Sequence, residues 1–216
     1  MFHHGKMSGP VQQLKLPGAK GCRIIKDMKL SLALILLIFA TACEDATLVS
    51  HIKETTCSTC RIYITTANYN GNFGSAAAAD SICASDGNKP ATGTYKAMVV
   101  DGTRTACTTA NCSGGFEGTN WVLRANTTYT RDDGAALGTT TASGIFSFPL
   151  SNNIGAGSGT TYTGIGIDWT TNSNCLNWTD SSSSSRIGSI ATTGNTTVSL
   201  TTQSCSVARS LICVEQ

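Results

Sequence analysis

The sequence has little charge: Asp, Glu, Lys and Arg make up 13% of it, about half the usual share. Its 15 basic residues exceed its 13 acidic ones by two, a surplus that invites a nucleic-acid or membrane-surface reading. Six of the basic residues (Lys6, Lys15, Lys20, Arg23, Lys26, Lys29) and one acid (Asp27) precede Cys43, which leaves nine basic against twelve acidic residues beyond it, a net charge of −3. Nine scattered basic residues make no electrostatic footprint, so nucleic acid is not expected as a partner. Histidine is scarcer still: His3 and His4 lie near the start and only His51 follows Cys43. One histidine just behind a tether cannot complete a triad in a folded core, nor supply a His-rich zinc site. GxSxG, Walker A, HExxH and EF-hand patterns are all missing. The run Gly155-Ala156-Gly157-Ser158-Gly159 has no strand-to-helix setting and reads as loop. These absences leave no enzyme class, cofactor or metal indicated.

No apolar run is long enough to span a bilayer core, which needs about 20 residues. The run Leu30–Ala42 (LSLALILLIFATA) has 13 uncharged residues. Behind Lys26 and Lys29, and ending in Ala40-Thr41-Ala42, it has the form of a signal-peptide core and cleavage site. The next residue is Cys43, the mark of a bacterial lipoprotein signal. Position −3 is Ala40 where the common lipobox has Leu, a departure that looser spirochaetal boxes accommodate. Met28-Lys29 followed by the apolar run makes a complete signal start, so residues 1–27 are expected to be an upstream extension that is not translated. The expected organisation is 1–27 extension, 28–42 signal peptide, 43–60 lipid-anchor tether, and 61–216 one domain.

Beyond Cys22 and Cys43 stand eight cysteines: Cys57, Cys60, Cys83, Cys107, Cys112, Cys175, Cys205 and Cys213. An even set in an exported chain fits four bridges, for which sequence alone allows 105 connectivities. Cys107 and Cys112 close a short loop and are expected to pair. Cys57 and Cys60 have redox-motif spacing, but no thioredoxin-like βαβ pattern follows, so a structural bridge is expected. A zinc ribbon would need a second CxxC, which is missing.

Along the chain, Arg61–Thr66 (RIYITT) is rich in β-formers and reads as a strand. Asn68–Gly74 is a turn. Ser75–Ser85 reads as a helix with Ser75 at its start and Ile82 and Cys83 toward the core. Tyr95–Val100 is a second strand, Trp121-Val122-Leu123 is ordered against the core, Arg131–Gly134 is a turn, and Ile145–Phe148 is a short strand closed by Pro149. Ser210–Glu215 is the last strand. Its apolar content places it inside a sheet, paired with the first strand so that the chain ends of the domain meet. Thr, Ser, Asn and Gly fill the rest, including Ser181–Ser185, and favour irregular loops.

Ala79-Asp80-Ser81-Ile82-Cys83, Gly93-Thr94-Tyr95-Lys96-Ala97-Met98-Val99, Tyr162-Thr163-Gly164, Cys175-Leu176-Asn177-Trp178-Thr179, Gly188-Ser189, Cys205 and Leu211-Ile212-Cys213-Val214-Glu215 occur in this order. The order resembles the endostatin-type branch of the C-type-lectin-like fold, and is similar to a family of spirochaetal lipoproteins of unknown function. The resemblance covers residues 60–216. It implies an α+β, loop-rich, disulfide-braced domain with bridges Cys83–Cys213 and Cys175–Cys205. Chain-entropy arguments value those bridges at about 5 and about 3.5 kcal/mol. The calcium-binding Glu-Pro-Asn or Gln-Pro-Asp loop and Trp-Asn-Asp strand of sugar-binding members are missing. Asn177-Trp178-Thr179-Asp180 lacks the adjacent Asn-Asp pair, and Asp132, Asp133, Asp168 and Asp180 read as solvated loop acids. The histidines of endostatin's zinc site are missing too, and Tyr162 stands for the family's Trp as a core aromatic.

Of the three tryptophans, Trp178 matches the family's structural one and is expected to be buried. Trp169, in the polar stretch Ile167–Asn172, is the candidate ligand contact, with a core position the competing reading. These observations lead to an expected function: a lipid-anchored, outer-membrane envelope protein that binds an extracellular protein or glycan without calcium, a host matrix component being one such partner. The alternatives are a structural envelope lipoprotein without a soluble ligand and an exported enzyme.

Overall fold

The computed structural model describes residues 57–216. The extension 1–27, Met28, the signal segment, Cys43 and His51 lie outside the described residues. In chain order the elements are β1 (Thr59–Ile64), α1 (Ala76–Ser85), β2 (Tyr95–Ala97), β3 (Thr128–Arg131), β4 (Ala136–Thr139), β5 (Thr160–Tyr162), β6 (Ser184–Ser189), β7 (Thr201–Ser204) and β8 (Ile212–Glu215). They make a five-stranded sheet of order β2-β8-β1-β3-β4 and a three-stranded sheet of order β5-β6-β7. The β1–β3 pairing is parallel and the others are antiparallel.

The larger sheet is covered on both faces, which explains its apolar central strands. Cys60, Ile62, Ile212 and Val214 face one cluster with Tyr129, Leu137 and Phe146. Tyr63, Cys213, Tyr95 and Ala97 face the other, beneath α1. The helix turns Ala76, Ala79 and Cys83 inward, and small side chains let it lie close. Its start is fixed twice: the Ala78 N–H donates to Ser75 Oγ at 3.1 Å, and the Ala76 N–H to Asp101 Oδ2 at 2.8 Å. The terminal strand β8 lies between β2 and β1, with Ile62 opposite Val214, so the two ends of the domain share the sheet centre.

The outer edge of β2 has an unusual partner. Met98 N donates to Ile212 O at 2.8 Å and Gln216 N to Thr94 O at 2.9 Å, so the Ala97 N–H and C=O between them point away from β8. The N–H donates to Asp80 Oδ1 at 2.9 Å, and the C=O accepts from Arg104 Nη1 at 2.9 Å. Asp80 and Arg104 also pair with each other at 2.5 Å. An ion pair thus stands where a neighbouring strand would, and closes the edge.

Four disulfides brace the domain: Cys57–Cys60, Cys83–Cys213, Cys107–Cys112 and Cys175–Cys205. Cys83–Cys213 ties α1 to β8 across a Cα separation of 5.6 Å. Several expected elements differ. β1 begins at Thr59, so the last two residues assigned to the tether belong to the sheet. Strand β2 covers only Tyr95–Ala97 of the expected second strand; the Met98 N–H makes one more bond to β8, and the chain runs on to Val100 buried and irregular. Ile145–Phe148 is not a strand: its one ladder contact is an isolated bridge from Phe146 to Thr140, and both Ile145 and Phe146 turn into the core. Ile82 is half-buried while Cys83 is fully covered. The end of the serine run expected as loop, Ser184 and Ser185, begins β6, because it pairs with Ser204 and Gln203 of β7.

Candidate functional site

Four loops converge beside the larger core to form a groove of about 550 Å³. Its lining includes Asn111, Ser143, Ser147, Phe148, Ile167, Trp169 and Asn195. The loop carrying Asn111 is held by the Cys107–Cys112 bridge and by Glu117. That carboxylate accepts from Thr108 N and Oγ1 at 2.8 Å each, from Thr109 N at 2.7 Å and from Gly114 N at 3.3 Å. The Thr109 hydroxyl also donates to it. These bonds, the Thr109 hydroxyl foremost, pull Glu117 down to about 2. The same loop clamps the Trp169 segment, since Asn111 N donates to Asp168 O at 2.7 Å and Cys107 N to Trp169 O at 3.2 Å.

Trp169 is placed by a tight turn. Gly166 N donates to Thr170 O at 2.8 Å and Trp169 N to Gly166 O at 3.1 Å. Asp168 Oδ1 accepts from the Thr170 hydroxyl at 2.7 Å, which holds its carboxyl below the ordinary carboxylate value. Trp169 takes a φ of +67° there, a conformation costing a bulky L-residue about 1–2 kcal/mol. Burial compensates. Its ring stacks on Phe148 with centroids 5.8 Å apart and meets the edge of Trp121 at 6.3 Å. Trp121 is itself fixed by its indole N–H, which donates to Gly144 O at 2.8 Å.

Of the two readings of Trp169, exposed contact and core residue, the structure shows the core position. The residue is 2% exposed, because a polar sequence neighbourhood says nothing about the ring's long-range partners. It backs the groove, while Ile167, 57% exposed, and the half-buried Phe148 present the apolar wall. In the same lining, the side chains of Asn111, Asn195, Ser143 and Ser147 make no hydrogen bond to any described residue. The Trp169 indole N–H likewise has no described acceptor, and it is not sealed from solvent. Among the described residues no ionisable side chain lines the groove.

Sequence reasoning missed Phe148, Ile167 and the two asparagines. Phe148 was absorbed into an expected strand, and only Pro149 after it hinted that the chain leaves the sheet there. The other singled-out residues lie elsewhere. Trp178 is fully buried, its indole N–H donating to Val100 O at 2.9 Å, and Tyr162 is fully buried beside it. Asp133 pairs with Arg131, and Asp180 accepts from Ser182 at 2.7 Å. Among the described residues no three His, Cys, Asp or Glu side chains gather into a metal-binding group. Leu176 stands 63% exposed at the tip of a turn, Cys175–Trp178, in which four consecutive residues have φ between +51° and +68°.

Residues 66–197 match the model of a family described as a protein of unknown function, DUF1554. The chain belongs to that family. No curated protein matches it. In this DUF1554 protein the matched segment contains α1 and every groove residue from Asn111 to Asn195. Strands β1, β7 and β8 lie outside it, so the sheet centre is completed by chain on either side of the family region.

Proposed function

We propose that this DUF1554 protein is a lipid-anchored envelope protein whose C-type-lectin-like, endostatin-type domain binds an extracellular protein or glycan without calcium. Cys43 carries the lipid, the outer membrane is the site of anchoring, and the domain faces outward. One observation carries the binding role: a concave groove lined by uncommitted hydroxyls and carboxamides together with apolar side chains. Rigid loops on a braced core are the common setting for recognition. Rings, hydroxyls and carboxamides recognise a ligand but do not exchange protons near neutral pH, which favours binding over catalysis.

The test is a screen of the purified protein against immobilised matrix proteins and glycans, with calcium and with chelator, alongside Ile167→Asp. Saturable binding that survives chelation and is lost in Ile167→Asp is expected. Absence of any ligand, with tight retention in washed envelopes, would instead favour a structural envelope role. Protease treatment of intact cells should remove the domain, and full protection would refute the outward placement.

A further inference from the structure

We infer that the ligand of this groove is an uncharged sugar residue, seated with its C–H face on Phe148 and Ile167 and its hydroxyls toward Asn111, Asn195, Ser143 and Ser147. The inference rests on the binding reading above and names the ligand class of the same site. Four polar side chains, Asn111, Asn195, Ser143 and Ser147, line a single concavity without a described protein partner. A carboxamide offers a donor and an acceptor together, and a hydroxyl does the same. That dual character matches a sugar hydroxyl, which both gives and accepts. The same lining carries the apolar Phe148 and Ile167, as the C–H face of a pyranose requires.

Charge decides against the neighbouring ligand classes. A sulfate, carboxylate or ammonium group placed here would lose water and gain no counter-charge, because among the described residues no ionisable side chain lines the groove. Size argues against a folded protein as the principal occupant: a stable protein interface covers about 800 Å² per partner, whereas a groove of about 550 Å³ has the scale of a small-molecule site. The clamp on the Trp169 segment, from Cys107 N and Asn111 N, sets the geometry before binding and lowers the ordering cost.

The experiment uses the purified protein on an array of neutral, sialylated and sulfated glycans, followed by calorimetry with the best-bound neutral oligosaccharide. Asn195→Ala and Ser147→Ala, both at exposed positions without described side-chain hydrogen bonds, and Ile167→Ala are measured beside it, with thermal unfolding as a folding control. Neutral glycans should bind, affinity should hold as salt rises, and each substitution should weaken binding about five- to tenfold with an unchanged melting temperature. Preference for sulfated or sialylated glycans, or neutral binding indifferent to all three substitutions, overturns the inference. No glycan bound, with a protein ligand lost in Ile167→Asp, overturns the sugar class and leaves the binding role standing. No ligand of either kind overturns both.

Discussion

Replacing Asp80 with Ala tests the ion pair that closes the β2 edge. Asp80 accepts from Ala97 N at 2.9 Å and from Arg104 Nη1 and Nη2 at 2.9 and 2.5 Å. The Arg104 side chain is only 6% exposed and that of Asp80 20%. Removing the carboxylate leaves a guanidinium buried with one acceptor, the Ala97 carbonyl, and orphans the Ala97 N–H. Breaking a buried pair in this way costs about 3–5 kcal/mol, a large part of the 5–15 kcal/mol typical of a domain. At about 2–4 °C per kcal/mol for a chain of this size, the melting temperature should fall by roughly 10 °C. Asp80→Asn keeps an acceptor for the Ala97 N–H and should cost about half as much. The double variant Asp80→Ala/Arg104→Met removes the stranded charge and should recover most of the loss. Thermal and urea unfolding, with disulfides intact, measure all three. A fall below about 2 °C in Asp80→Ala, or a double variant no more stable than the single, would refute the argument.

Leu176→Gly should stabilise the domain by about 0.5–1 kcal/mol, since it relieves a left-handed residue whose side chain is largely in solvent; urea unfolding checks it. Gly188→Ala should destabilise by about 3 kcal/mol, because a methyl group there would sit 2.9 Å from the Thr197 carbonyl carbon; the fall in urea midpoint measures it. Burial favours the neutral forms of Glu215 and Asp101. Hydrogen bonds from Arg61 to the first, and from Ala76, Thr103 and Arg104 to the second, outweigh it and hold both below their ordinary values of 4.5 and 3.8. Carboxyls lowered by folding stabilise fully above those ordinary values and lose that contribution as pH falls through the folded ones. Stability should therefore be flat from neutral pH down to about 5 and decline below it; a rise on acidification would contradict the sign.

Parts of this fold were legible because their signals are local. Ser75 before an alanine-rich run marks a helix start, since its hydroxyl can reach a backbone N–H three residues on. Alternating β-formers mark β1, and Arg131-Asp132-Asp133-Gly134 marks the turn between β3 and β4. An apolar terminal run marks β8 as an interior strand, since a strand so apolar needs cover on both faces. The sheet β5-β6-β7 left no such mark. Its strands TTY, SSRIGS and TTQS carry the hydroxyl residues of a loop, and pairing partners far along the chain, not side-chain periodicity, make them strands.

The sequence by itself determined the low charge, the even cysteine set, the helix α1 and the interior place of the last strand, because each depends on residues close in the chain or on composition. Only the tertiary structure decided that Trp169 turns inward, that Asp80 meets Arg104 at the edge of β2, and that Asn111, Ile167 and Asn195 open on one groove. Those outcomes depend on which distant loops come together, and the local torsions and solvent preferences of a polar loop are nearly indifferent to that choice.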